Sequence, residues 1–150
     1  MSSRPFEPGL FLRVYILGQL VGELLDSEFR RAGVSTTDFA VSSTLRLMQP
    51  ATPTSLAAQL GMAPTTLSAA IRRLERRGRL RRLPNPDDGR SVLVELTAAG
   101  EDEVEAAFPA FRAARERLTG ELAQSWEAAG EQLATLEDAL RRALARTPVS

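Results

Sequence analysis

The sequence predicts a mainly α fold carrying one small β-hairpin, and three observations lead to it. The first is a helical run from Pro64 to Arg77, studded with arginines and preceded by a short helix and a turn at Gly61. The second is Pro84-Asn85-Pro86-Asp87-Asp88-Gly89-Arg90, a segment made of residues that favour turns or expose charge. The third is the run Ser91 to Thr97, in which Val92, Val94 and Leu96 alternate strictly, the mark of a half-buried strand. Helix, turn, helix, strand, charged hairpin and strand in this order make a winged helix-turn-helix, an α+β lobe with a two-stranded β-wing. The helices flanking it are expected to form a dimerisation domain.

The elements follow in order. Leu10, Val14, Leu17, Val21 and Leu24 are spaced 4, 3, 4 and 3, and Phe11, Leu20, Leu25 and Phe29 broaden that stripe. This predicts an amphipathic helix over roughly residues 8–31, ended near Gly33, with more apolar surface than one packed face needs. Ser35-Thr36-Thr37-Asp38 offers a capping oxygen and a first-turn acid for a second helix carrying Phe39, Leu45 and Leu47. That helix stops before Gln49-Pro50. Pro53-Thr54-Ser55 opens a short third helix with Leu56, Ala57 and Leu60, and Gly61 turns the chain. Pro64 then starts the arginine-rich helix, and Gly78 ends it.

Residues 79–83 and 91–96 read as the two strands. Thr97-Ala98-Ala99-Gly100-Glu101 opens a long helix with acids near its positive end. Pro109 should kink it. Leu118, Leu122, Trp126, Ala129, Leu133, Leu136, Leu140 and Leu144 continue the stripe, with a break near Gly120 or Gly130 and Ser125 as a cap. A stripe of that length is expected to pair with a second copy; folding back on the N-terminal helix is the alternative. The predicted division is a lobe at 35–97 and a helical dimerisation region made of 1–34 and 98–150.

Composition narrows the chemistry. The chain has no Cys and no His, which excludes disulfides, thiolate chemistry, the commonest metal ligand and the usual general base. No metal and no cofactor is expected. Catalysis would need paired carboxylates in a cleft, and the acids cluster on helix surfaces instead, so an enzyme is not expected. No apolar run reaches the ~20 residues that cross a bilayer, and Met1-Ser2-Ser3-Arg4-Pro5 does not lead an export signal. A cytoplasmic location without membrane attachment is the expectation.

Charge is segregated although the formal net charge is zero. Between residues 72 and 90 stand eight arginines against Glu75, Asp87 and Asp88, a local excess of five. Residues 101–146 hold ten acids against six arginines. Attraction to a polyanion is local, being screened within ~10 Å, so the basic segment can still meet DNA. A solvated helix face is the competing explanation.

Leu67, Ile71 and Leu74 should be buried, which leaves Thr65, Thr66, Ser68, Ala69, Arg72, Arg73 and Arg76 on the opposite face beside Pro64. Small residues there allow close approach to base edges, and arginines reach guanine or phosphate. Asn85, Asp88, Gly89 and Arg90 are the wing candidates. Asp88 can hold the Arg90 guanidinium, which at a hairpin tip would probe a narrow minor groove.

Leu56-Ala57-Ala58-Gln59-Leu60-Gly61-Met62, then Leu74-Glu75-Arg76-Arg77-Gly78, then Asp88-Gly89-Arg90 and Leu96-Thr97-Ala98-Ala99-Gly100, resemble the MarR (multiple antibiotic resistance regulator) family. The Asp-x-Arg wing followed by Leu-Thr-x-x-Gly is the most specific part. The resemblance spans nearly the whole chain and implies a homodimer on a pseudo-palindromic operator in double-stranded DNA. The helix matching Pro64–Arg77 would enter the major groove, and Arg90, oriented by Asp88, the minor groove. It also implies a transcription regulator, more often a repressor, released by a small aromatic or phenolic ligand. Arg13, Tyr15, Phe39 and Arg46 are candidates for lining the ligand crevice. Ala63 departs from the pattern by standing where a capping Ser is common. The missing Cys and His set the chain apart from members that sense peroxide through a thiol or bind metals. A winged-helix module that binds protein instead of DNA, an anti-repressor or a sensor's partner, is the rival.

Overall fold

The structure, a computed structural model, describes residues 9–146. The Met1–Pro5 segment and the expected helix start at residue 8 lie outside them. The described residues form α1 (Leu10–Ala32), α2 (Thr36–Met48), α3 (Pro53–Leu60), α4 (Pro64–Arg76), β1 (Leu80–Pro84), β2 (Val92–Leu96), α5 (Ala98–Glu121) and α6 (Trp126–Ala145). The mainly α winged helix-turn-helix class is what the sequence predicts.

Local chemistry sets most boundaries. Ser35 Oγ accepts the Asp38 N–H at 3.4 Å and opens α2. Thr52, one residue before the expected signal, caps α3 by accepting the Ser55 N–H at 3.1 Å. Ser125 caps α6 through the Ala128 N–H at 3.1 Å. Each such cap contributes ~1 kcal/mol. α4 has Ala63 at this position and no side-chain cap, and Pro64 in its first turn presets the backbone instead. Gly61 ends α3 at φ 59, a left-handed conformation that side chains disfavour, and so reverses the chain toward α4. Pro109 lies inside α5 without ending it, and the break between α5 and α6 falls just after Gly120.

α2 packs against α1, α3, α4 and β2. Val41 and Leu45 of α2, Leu56 of α3, Leu67, Ile71 and Leu74 of α4, and Val94 of β2 are almost fully removed from water. Each contributes about 1.5–3 kcal/mol by burial. β1 and β2 are antiparallel with Leu80 opposite Leu96 and Pro84 opposite Val92. That register puts the loop carrying Arg90 at the far end of the hairpin.

The described residues fall into two compact units, one reaching Arg112 and one beginning at Ala113. The first holds the winged lobe, and its core takes in Phe29 of α1 together with Val104 and Ala107 of α5. The division drawn from sequence placed the edge of the lobe at residue 97. The apolar core runs on past it, with Phe108 and Phe111 packed against it, because α5 supplies the side chains that close the lobe. In the second unit no residue of α6 is buried.

Candidate nucleic-acid interface

Burial on α4 fixes what the helix offers outward. Leu67, Ala70, Ile71 and Leu74 face the core at helical spacing. Pro64, Thr65, Thr66, Ser68, Ala69, Arg72 and Arg76 are exposed on the other side. Arg73 is the exception. Its Nε lies 3.0 Å from each oxygen of Asp38, and its Nη2 also meets Oδ1.

Asp38 sits in the first turn of α2 and is 2% exposed. Arg77 approaches its second oxygen at 3.4 Å. A buried carboxylate needs such partners to remain charged. The Arg73 guanidinium is in turn held above its ordinary pKa, chiefly by the hydrogen bond to Asp38, with burial opposing and the charge of Asp38 adding. Because that pKa is raised from a value already far above neutrality, the Arg73 guanidinium keeps its charge throughout the neutral range.

Acids also pair with most of the remaining arginines of the basic segment. Arg77 Nη2 and Arg79 Nε converge on Glu103 Oε2 at 2.8 and 2.6 Å. Arg81 faces Glu95 directly across the hairpin, with Nε to Oε1 at 2.6 Å. Arg82 pairs with Glu75 at 3.1 Å. Five of the eight arginines between 72 and 90 are therefore engaged by acids. Among the described residues Arg72, Arg76 and Arg90 have no acidic partner, and all three are exposed. Two stand on the outer face of α4 and one at the tip of the wing.

The wing loop is ordered by its own polar side chains. Asn85 Oδ1 accepts the Asp87 N–H at 3.1 Å, and Asn85 Nδ2 donates to Ser91 Oγ at 2.7 Å. Asp88 Oδ1 accepts the main-chain N–H of Arg90 at 3.0 Å. The sequence suggested that this carboxylate holds the guanidinium. It takes the backbone N–H two residues on instead, which a short Asp side chain reaches more readily. The Arg90 side chain is thus left to solvent while its Cα is fixed. At Gly89 a Cβ would meet nothing within 4 Å, so the structure gives that glycine no steric reason.

Of the four crevice candidates, Phe39 and Arg46 come together. They line a cavity of about 450 Å³ with Ser43, Thr44, Leu47, Phe108 and Phe111. The Phe39 and Phe111 rings stack at 5.7 Å. Arg46 is held by Glu101 at 3.0 Å and Glu105 at 2.5 Å. Arg13 and Tyr15 stand instead on the exposed first half of α1.

Sequence reasoning missed the roles of Asp38, Glu103 and Glu95. Asp38 read as a helix-start acid, and nothing local announced a partner 35 residues away. Glu95 alone was recoverable, since Arg81 and Glu95 fall opposite each other once the hairpin register is drawn.

The MarR family model matches residues 34–92, which contain the helix-turn-helix and the wing up to Val92. Over these residues the winged lobe is similar to the MarR family. Among curated relatives, the multiple antibiotic resistance protein MarR of Salmonella typhimurium is 33% identical over 87 residues, covering 58% of this chain and 60% of that protein. The chain thus spans about 60% of the length of the curated relatives it matches. Among solved structures, a MarR mutant from E. coli complexed with operator DNA is 28% identical with a TM-score of 0.70, covering 90% of this chain and 93% of that one. The M. tuberculosis regulator MosR, solved with DNA, shares the fold at a TM-score of 0.78 and 24% identity, covering 91% of this chain and 98% of that one. Among the described residues, no helix is long and apolar enough to cross a membrane.

Proposed function

We propose that this chain binds double-stranded DNA as a homodimer and regulates transcription, acting as a repressor on a pseudo-palindromic operator. The observation that carries the reading is the distribution of unpaired charge. Folding pairs five arginines of the basic segment with acids and leaves Arg72, Arg76 and Arg90 on α4 and the wing. A solvated helix face would not select those positions. The operator-bound relative at 28% identity supports the same use of the lobe. In a dimer the two α4 helices would enter successive major grooves about 34–36 Å apart. Thr65, Thr66, Ser68 and Ala69 would face base edges. Arg72 and Arg76 would reach guanine or phosphate, and Arg90 the minor groove. Arg73 acts through Asp38 as a positioning residue. MarR-family regulators are DNA-binding proteins and not enzymes.

The dimerisation region is proposed to lie in residues 1–34 and 98–150, whose helices carry the uncovered apolar faces. The cavity beside Phe39 and Arg46 is the proposed ligand site, of a size suited to a small aromatic or phenolic molecule. Such a ligand releases DNA only by binding better to a dimer whose lobes are misplaced for the operator.

Selection of bound fragments from a random duplex pool, followed by anisotropy titration over a range of salt, tests the proposal. A selected site whose affinity falls steeply with salt is the expected result. A purified protein that retains no duplex from the pool in dilute buffer would refute it.

A further inference from the structure

We infer that Gln49 is the positioning residue that seats wing strand β2 on the lobe, and that Glu101 and Arg46 tie this seating to the aromatic cavity. The inference deepens the reading above and rests on it for its effect on DNA. Gln49 directly follows α2. Two residues later, Ala51 and Val94 exchange main-chain hydrogen bonds, with N–H to O distances of 3.1 and 2.8 Å. Amides alternate sides along a strand, so the Leu96 N–H points the same way as that of Val94. The Thr97 N–H between strand and helix goes the other way, to Arg79 O at 3.1 Å. The outward Leu96 N–H meets a side chain in place of a strand, donating to Gln49 Oε1 at 2.9 Å. The amide of Gln49 therefore extends the two-residue bridge by one rung.

Its other end is also fixed. Gln49 Nε2 donates to Glu101 Oε1 at 2.7 Å. Only one orientation of the amide serves both neighbours, oxygen toward the main-chain N–H and nitrogen toward the carboxylate. The second oxygen of Glu101 takes Arg46 Nε at 3.0 Å, and Arg46 lines the cavity with Phe39, Phe108 and Phe111. Three polar contacts thus run from the cavity wall to the backbone of β2, which begins two residues after Arg90. Drawing Arg46 away leaves Glu101 free to turn to water, and the amide of Gln49 then loses its charged acceptor. Whatever recruits that guanidinium loosens the strand that carries the wing tip.

Amide hydrogen exchange on the free, full-length protein tests the relay, with Val94 as the internal reference. Arg46→Gln should speed exchange at Leu96 by roughly threefold to tenfold relative to Val94, the effect of removing one hydrogen bond. Arg46→Lys, which keeps the charge, should retain most of the protection. Gln49→Leu should remove the Leu96 protection while Val94 keeps its own. Wild-type exchange at Leu96 in Arg46→Gln would overturn the link to the cavity. The same result in Gln49→Leu would overturn the seating, and if that variant does not fold, Arg46→Gln decides alone. Duplex binding separates the two readings. Arg46→Gln should weaken it about threefold with no change in salt slope, because the same phosphates are still neutralised. A wild-type protein that ignores DNA would defeat the functional reading and leave the exchange result standing.

Discussion

At the scale of single residues, what an arginine does in this lobe depends on the acid opposite it. Arg72 and Arg73 are neighbours in sequence, yet one stands unpaired in solvent and the other is clamped on Asp38. Substituting Arg72, Arg76 or Arg90 with Ala should therefore lower the log–log salt slope of DNA binding by about 0.9 per chain for each phosphate left without its guanidinium. Arg81→Ala should leave the slope unaltered, since Glu95 already occupies that guanidinium. Equal slopes for all four variants, measured by anisotropy, would show that the pairing does not select which arginines meet DNA. Asp38→Ala strands the Arg73 guanidinium, about 40% exposed on the side chain, while Arg77 keeps Glu103. The cost should be about 1–3 kcal/mol in urea denaturation, below the range for a fully buried pair. The run of positive charge was legible in the sequence because it is contiguous. Which charges survive folding was not, since Asp38 and Glu103 reach the segment from α2 and α5.

At the scale of elements, the joints that were legible are those whose chemistry is local. Ser35 and Ser125 cap the starts of their helices within three residues, and Gly61 turns within one, so the sequence alone predicts them. The joint between β2 and α5 is of another kind. Thr97 Oγ donates to Gly78 O at 2.7 Å and accepts the Gly100 N–H at 3.1 Å, while its own N–H reaches Arg79 O. This lashes the first turn of α5 to the end of α4. The approach is so close that a Cβ on Gly100 would stand 2.0 Å from Arg79 O. The Leu-Thr-x-x-Gly pattern is thereby given a steric reason that periodicity does not reveal. Gly100→Ala must push α5 away from the hairpin, and a loss of about 1–3 kcal/mol or more is expected. A thermal melt within a degree or so of wild type would mean that the backbone yields there without cost.

At the scale of the whole molecule, apolar surface is left over. Along the first half of α1, Phe11 is 79% exposed, Tyr15 65% and Leu20 58%. In the other unit, α6 repeats leucines over 20 residues and buries none of them. Soluble monomers rarely carry contiguous apolar patches of more than a few hundred Å². The helical period showed which side chains need cover but not what covers them, because a stripe facing a second chain reads the same as one facing its own. A second copy is the cover that the proposed homodimer supplies, so sedimentation of the wild-type chain should give twice the chain mass. Phe11→Glu combined with Leu20→Glu places two charges per chain in that surface, and burying an unpaired charge costs several kcal/mol. The doubly substituted protein should sediment as a folded monomer with an intact circular dichroism spectrum. Its DNA affinity should collapse, and its salt slope should fall to about half, because one lobe then meets the duplex where two did. A dimer that survives both substitutions would move the interface away from α1, and a wild-type monomer that still binds DNA tightly would remove the need for one.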